Sequence, residues 1–367
     1  MTHLPRARVA VLFGGQSSEH AISCATAAGV LTAIDRDRFD VIPVGITRAG
    51  HWLLLPDDPE RLQLGPGHVP AVEEGDGPRV TLTGDRRLIA TGGADIDDQG
   101  IDVVLPLLHG PYGEDGTIQG LLELAWMPYV GSGVLASAVG MDKQYMKAVL
   151  AAADLPIGPH EVITNRQWQT NRERSVARVA ELGLPLFVKP CRAGSSIGIT
   201  KVTRVEELEA AIEAAREHDP KVMVEAAIDG REIEVAVLEG RDYGPPRVTA
   251  PGEIAVVGDY DFYDYQAKYF DSGSAALSFP AELPGLITER AKGLAARAFD
   301  AVGGEGLARV DLFYTTAGEL IVNEINTMPG FTPISMYPMM WQRSGMPYAA
   351  LITELIDLAL ARSPGLR

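Results

Sequence analysis

"LARVDLFYTTAGELIVNEINTMPG", residues 307–330, holds two strand-length apolar runs joined by a turn at Thr316–Gly318. Side chains alternate faces along a strand, so Arg309 and Asp311 share a face of the first run, and Glu324 and Asn326 share a face of the second. Paired as a hairpin, the runs gather Asp311, Glu324 and Asn326 at one place. Two carboxylates and an amide are hard oxygen donors, suited to Mg²⁺ that also binds substrate phosphates and poorly suited to Zn²⁺. The glycine turn that follows offers backbone N–H groups to an oxyanion. Two ordinary strands with solvated polar faces are the competing reading.

A second loop stands upstream in "FVKPCRAGSSIGI", residues 187–199. A strand delivers Lys189, and a glycine–serine loop returns into another strand, so that backbone N–H groups and the Ser195 and Ser196 hydroxyls can cover phosphates while Lys189 supplies a point charge. The Walker pattern G-x-x-x-x-G-K-[ST] is absent. Lys143, in "GMDKQYMK", reads by itself as a solvated helix lysine. In "VMVEAAIDGREIEV", residues 222–235, Glu225 ends an apolar strand and Glu232 follows a short connection. That arrangement suits an adenine edge and ribose hydroxyls, and equally suits an interdomain linker.

The chain opens with another glycine turn, "VAVLFGGQSSEHAIS", residues 9–23. Strand, Gly14–Gly15 and a helix starting at Ser17 or Ser18 outline a dinucleotide loop, but the fingerprint G-x-G-x-x-G is missing. Glu19 falls in the first helical turn, where it would repel a pyrophosphate and favour an ammonium group, or would simply complement the helix dipole. "LLHGPYGEDGTIQG", residues 107–120, follows a buried strand and starts a helix, placing His109 at a strand's C-terminal end.

A chain of 367 residues calls for two or three domains. The net charge of −17 argues against nucleic-acid or anionic-membrane surfaces, so any phosphate must be held by local cations or a metal. The start runs into the first strand without an apolar leader, and no later segment approaches a membrane span, which predicts a cytoplasmic protein. Cys24 and Cys191 exclude a cysteine metal site. Alternating strands and helices fill the first third, an α/β pattern with a parallel sheet; residues 47–100 read as an insertion of short antiparallel strands. Strands predominate afterwards, with helices able to cover one face.

Together "LFGGQSSEHAIS", "LLHGPYGEDGTIQG", "GMDKQYMK", "VKPCRAGSSIGI", "FYDYQAKY", "GLARVDLF" and "NEINTMPGFTPISMYP" resemble the D-alanine:D-alanine ligase family of the ATP-grasp superfamily, in the same order over nearly the whole chain. The resemblance implies a three-domain α/β ATP-grasp ligase: an N-terminal parallel-sheet domain over 1–132 with the insertion 47–100, then two α+β domains, 133–226 and 227–367, that sandwich ATP. It implies that ATP phosphorylates the carboxylate of a first D-alanine, and that the amine of a second attacks the acyl phosphate, for peptidoglycan precursor synthesis.

By motif, Lys143, Lys189, Ser195, Ser196, Glu225, Ala227, Ile228 and Glu232 would hold ATP, and Asp311, Glu324 and Asn326 two Mg²⁺ or Mn²⁺. Arg309 and the Gly330 amide would stabilise the tetrahedral intermediate. Glu19 would receive the ammonium of the first D-alanine with His109 near its carboxyl group, Lys268, Ser335 and Met336 would meet the second substrate, and Tyr269 would join Glu19 and Ser195 above both. The resemblance also implies a homodimer with no nucleic-acid or membrane partner. Ala193 departs from the acidic residue common before Gly-Ser-Ser, and Ala226 and Ala227 replace bulkier residues. A D-lactate ligase, a silent ATP-binding regulator and a Rossmann oxidoreductase are the rival readings; Tyr269, the metal set with Arg309, and the missing fingerprint count against them in turn.

Overall fold

The computed structural model describes residues 6–65, 67–91, 100–256, 275–362 and 365. The first layer contains β1 (Ala7–Gly14), α1 (His20–Ala33), β2 (Phe39–Ile46), β3 (Trp52–Leu54), β4 (Val80–Leu82), β5 (Leu88–Ala90), β6 (Val103–Pro106) and α2 (Thr117–Leu124). Its sheet runs β3-β2-β1-β6, with β1 parallel to β2 and β6. Residues 9–13 of β1 are apolar without interruption because both faces are covered. Val9, Val11 and Phe13 face α1, while Ala10 and Leu12 pack with α2 and the β4–β5 hairpin. Within 47–100 the short strands are antiparallel, β3 along β2 and β4 against β5.

The second sheet is built from β7 (His160–Ile163), β8 (Leu186–Pro190), β9 (Thr200–Val202) and β10 (Val222–Ala226) in the order β7-β10-β8-β9, all antiparallel. It is preceded by α3 (Val134–Met141) and α4 (Lys143–Ala152), and carries α5 (Asn165–Thr170), α6 (Arg172–Ala180) and α7 (Leu208–Arg216). Val188, Val222 and Val224 pack against Val179, Leu208 and Ile212 on the helix side. Alternation therefore sends Lys189, Met223 and Glu225 to the opposite face.

The third sheet comprises β11 (Gly230–Leu238), β12 (Arg247–Val248), β13 (Gly252–Val256), β14 (Ala275–Ser278), β15 (Leu307–Thr315) and β16 (Leu320–Asn326), ordered β14-β13-β11-β15-β16 with β12 on β11. One face packs on α8 (Gly285–Val302) and α4 through Ile233, Val235, Val310, Leu312, Val322 and Ile325. The other face is divided along its length. Ala236, Leu238 and Leu307 are covered by α9 (Met336–Arg343) and α10 (Tyr348–Ala361), which also pack on α1 and β1. Glu232, Glu234, Arg309, Asp311, Glu324 and Asn326 are left to line a cleft. The C-terminal helices thus share one apolar core with the first sheet, and α4 shares one with the third.

Candidate active site

A cleft of about 990 Å³ is lined from the first sheet's loops by Glu19, His109 and Glu114, from the second sheet by Lys189, Ser195, Ser196 and Glu225, and from the third by the polar strand faces. Lys143, Ala227, Ile228, Gly330, Ser335 and Met336 line it as well. Every site residue expected from the sequence and lying within the described residues therefore borders one cavity. Lys268 and Tyr269 lie outside the described residues.

The hairpin of 307–326 forms as its pattern predicts, with Asp311 opposite Glu324 and Arg309 opposite Asn326. Arg309 donates to both oxygens of Asp311 at 2.7 and 2.6 Å and pairs with Glu234 at 3.1 Å. Burial would lower the guanidinium's pKa, but Asp311 and Glu234 hold it well above its ordinary value. Asn326 Nδ2 donates to Asp311 at 3.0 Å. Three oxygen-bearing side chains thus converge on the cleft face, a donor set that fits a hard divalent cation. Among the described residues no group of three or more His, Cys, Asp or Glu side chains is placed to hold a metal ion by itself, so the Asn326 amide is part of the set.

Lys189 and Glu225 stand diagonally on adjacent strands, since Lys189 lies opposite Met223. They form an ion pair, and the other Glu225 oxygen meets Lys147 at 2.7 Å. Burial would raise the carboxyl's pKa; Lys189 and Lys147 instead hold it down, at about 2. Burial lowers Lys147, whereas at Lys189 the lowering by burial is outweighed by Glu225 and Glu324 together, which raise it. Lys143 is not the solvated helix lysine its isolated motif suggests: Nζ donates to Ala193 O at 2.9 Å and lies 3.8 Å from Glu324. Ser195 and Ser196 both adopt positive φ, 48° and 58°. Two consecutive non-glycine residues there are unusual, and with Ile197 N donating to Gly194 O at 3.1 Å they form the centre of a tight turn.

At the first sheet α1 begins at His20, later than the sequence suggests, and Glu19 takes the N-cap position without a side-chain cap. The preceding turn is held by Ser17, whose hydroxyl donates to His109 O at 2.7 Å and accepts from Glu19 N at 3.2 Å. Glu19 is therefore free of the capping role and accepts a hydrogen bond from Ser195 Oγ. His109 is buried, with Nδ1 3.3 Å from Met328 O and Nε2 3.4 Å from Thr26 Oγ1; burial lowers its pKa against the pull of Glu19. Glu114 accepts from Gly110 N at 2.7 Å, and burial together with Glu19 pushes its carboxyl up to about 8. Ser335 Oγ is 2.7 Å from Thr332 Oγ1 at the N-terminus of α9, and a Cβ on Gly330 would meet that oxygen at 3.2 Å.

Lys147 and Glu114 were not singled out from the sequence. Lys147 sits in the apolar run "YMKAVL", a placement that signals burial; Glu114 is one acid among several in a polar turn and carries no such mark. Cys24 and Cys191 are buried and free, with burial pushing both thiols up to about 12.

Family models described as D-ala D-ala ligase N-terminus and D-ala D-ala ligase C-terminus match residues 8–132 and 149–357. The chain is 59% identical to a D-alanine--D-alanine ligase of Arthrobacter sp. (strain FB24), over 98% of this chain and 96% of the relative. It is 56% identical to the one from Kineococcus radiotolerans over the full length of both. Among solved structures, VanG D-Ala:D-Ser ligase from Enterococcus faecalis superposes with a TM-score of 0.83 at 36% identity, covering 97% of this chain and all of that one. The D-alanine-D-alanine ligase from Coxiella burnetii gives 0.81 at 34% identity, covering 98% and 95%.

Proposed function

The chain belongs to the D-ala D-ala ligase family, and from that premise we propose how its residues divide the ATP-dependent joining of two D-alanine molecules. A carboxylate oxygen cannot leave, so the first D-alanine is activated by transfer of the γ-phosphoryl group of ATP, with ADP released. The amine of the second D-alanine, having lost a proton to water, attacks the acyl carbon; the C–N bond forms, the nitrogen gives up a further proton, and phosphate departs with the electron pair of the broken C–O bond. Phosphoryl transfer asks for positioned charge more than for a general base.

The observation that carries this reading is the hydrogen bond from Ser195 to Glu19, which brings the phosphate loop against the ammonium-binding carboxylate within one cleft. Glu19 receives the ammonium of the first D-alanine. His109, held neutral by burial, faces that substrate's carboxyl group as a hydrogen-bonding group without charge. Lys143, Lys189 and the N–H groups around Ser195 and Ser196 take the phosphates, while Glu225, Ala227, Ile228 and Glu232 take base and ribose. Asp311, Glu324 and Asn326 would hold Mg²⁺, whose charge would offset that of the phosphates. Arg309, fixed by Asp311 and Glu234, and the Gly330 amide face the developing oxyanion. Lys268, Ser335 and Met336 receive the second carboxylate, and Tyr269 serves both substrates together with Glu19 and Ser195.

The units 1–132, 133–226 and 227–367, a homodimer and a cytoplasmic location belong to the same proposal. Among the described residues no helix is long and apolar enough to cross a membrane. ADP release with D-alanine, L-alanine, D-lactate and D-serine, each alone and with D-alanine, tests the reading. D-alanine alone should suffice, and equal release with L-alanine would overturn it. Sedimentation at several concentrations tests the dimer.

A further inference from the structure

Lys147 is 1% exposed and reaches both walls of the cleft from α4. On the second sheet it pairs with Glu225 at 2.7 Å, and on the third its Nζ donates to the Asn323 carbonyl at 3.1 Å.

The Asn323 contact falls where β16 breaks its own alternation. Leu320 and Val322 are buried on the helix side, and strict alternation would put Glu324 there with them. The ladder slips instead: Leu312 is opposite Val322 but Asp311 is opposite Glu324, so Asn323 has no residue across from it. That extra residue is a β-bulge, and it turns Glu324 and Asn326 onto the face of Arg309 and Asp311. A bulge displaces backbone groups from the ladder, and these need other partners when buried. Consecutive residues of α4 provide them on both flanks, since Lys147 binds the Asn323 carbonyl and Met146 Sδ accepts from Ile325 N at 3.4 Å.

We propose that Lys147 is a positioning residue for the reaction: it fixes the bulge that presents Glu324 to the cleft, and with the same ammonium holds the Glu225 carboxylate against Lys189. An ion pair serving packing alone would need Glu225 and not the carbonyl of a bulge on the opposite wall. Lys147 touches no reacting atom; it acts through Glu324 and Glu225. The inference rests on the ligase reading, in which those two residues meet the metal and the nucleotide.

Lys147→Met keeps the aliphatic volume and removes the ammonium. Lys147→Gln keeps one donor for Asn323 O without the charge for Glu225. Circular dichroism and melting establish folding first. Calorimetry then gives the ATP Kd without D-alanine across a Mg²⁺ series, and ADP release gives kcat and the KM for D-alanine. In Lys147→Met we expect kcat to fall and the half-saturating Mg²⁺ concentration to rise by about 10- to 100-fold, the scale for losing a group that orients a metal ligand. The KM for D-alanine should stay within about twofold, because Glu19 and His109 are held by other elements. Lys147→Gln should recover part of the Mg²⁺ dependence and less of the ATP affinity.

A folded variant with the parent's kcat and Mg²⁺ midpoint would overturn the proposal, as would failure of both variants to fold, which would assign Lys147 to structure alone. A parent chain that binds no ATP would instead overturn the ligase reading.

Discussion

On the first-sheet side of the cleft, two carboxyl groups, Glu19 and Glu114, sit with a neutral His109; on the second-sheet side, two ammonium groups, Lys147 and Lys189, close on one carboxylate, Glu225. Both clusters are withdrawn from solvent, Glu114 being half-buried and the rest buried, yet they resolve the desolvation of charge in opposite ways. At Glu225 opposite charges outweigh burial and keep the carboxyl ionised down to about pH 2. At Glu114 a like charge adds to burial, and the proton is retained up to about pH 8. The Glu225 cluster leaves surplus positive charge for an anion, and the Glu114 cluster leaves one carboxylate for a cation. An amino acid with an ammonium group and a nucleotide with phosphates fit those two sides.

The largest effect should come from the hairpin facing both. Glu324→Ala removes a charged donor of the proposed Mg²⁺ set and should lower kcat more than about a hundredfold, beyond the scale for an outer-shell partner. ATP binding, measured by calorimetry, should survive in part through Lys143 and Lys189. Activity within about tenfold of the parent would remove Glu324 from that set.

Glu19→Gln should separate the two sides. A hydrogen bond to a charged group contributes about 1.5–3 kcal/mol, so the KM for the first D-alanine should rise roughly 10- to 100-fold. The Kd for ATP should move less than about twofold. If both constants rise together, the two sides are one electrostatic unit and the contrast fails.

The pH dependence of stability should differ in sign between them. Glu114 carries a folded pKa above its unfolded value, so the folded chain binds the extra proton between about pH 4.5 and 8 and loses that stabilisation as pH rises through this window. Glu225 carries a lowered pKa, so its contribution is present above about pH 4.5 and lost as pH falls toward about 2. Relative to the parent, Glu114→Gln should gain Tm as pH goes from 5 to 8.5, while Glu225→Gln should lose Tm at neutral pH and approach the parent in acid. Each kcal/mol corresponds to about 2–4 °C. Parallel pH profiles for the two variants would refute the opposed assignment.

How much of this was legible in the sequence depends on distance along the chain. The hairpin was readable because Asp311, Glu324 and Asn326 lie within a single turn-joined pair of strands. Even the bulge left a trace, since the apolar positions 320, 322 and 325 fall out of phase across Asn323. Lys147 and Glu225 are 78 positions apart on different elements, and nothing local at either names the other. The packing of α9 and α10 on the first sheet was equally hidden, because an apolar helix face does not state which sheet will cover it. The sequence reads Glu19 as a residue of the first helical turn, whereas α1 starts at His20 with Glu19 at the N-cap position, because Ser17 spends its hydroxyl on His109 O, a long-range contact.

The smallest effect should appear at Ser195, where the two sides touch. Its hydroxyl donates to Glu19 while its backbone holds φ at 48°, so one residue combines a favourable hydrogen bond with an unfavourable conformation. Ser195→Ala removes the first and keeps the second; Ser195→Gly removes both. Left-handed backbone at a non-glycine residue costs about 1–2 kcal/mol, so the glycine variant should melt above the alanine variant, less the entropy glycine adds to the unfolded chain. Both should lose the same bond to Glu19 and raise the KM for D-alanine by up to about tenfold, since part of that contact can be taken over by water. If the loop serves both sides, the KM for ATP should rise as well, and more in the glycine variant, whose backbone is less constrained at the turn. Steady-state kinetics with each substrate varied in turn decide the matter. A change confined to D-alanine would make Ser195 part of the amine side only, and one confined to ATP would leave its bond to Glu19 without a role in binding the first substrate.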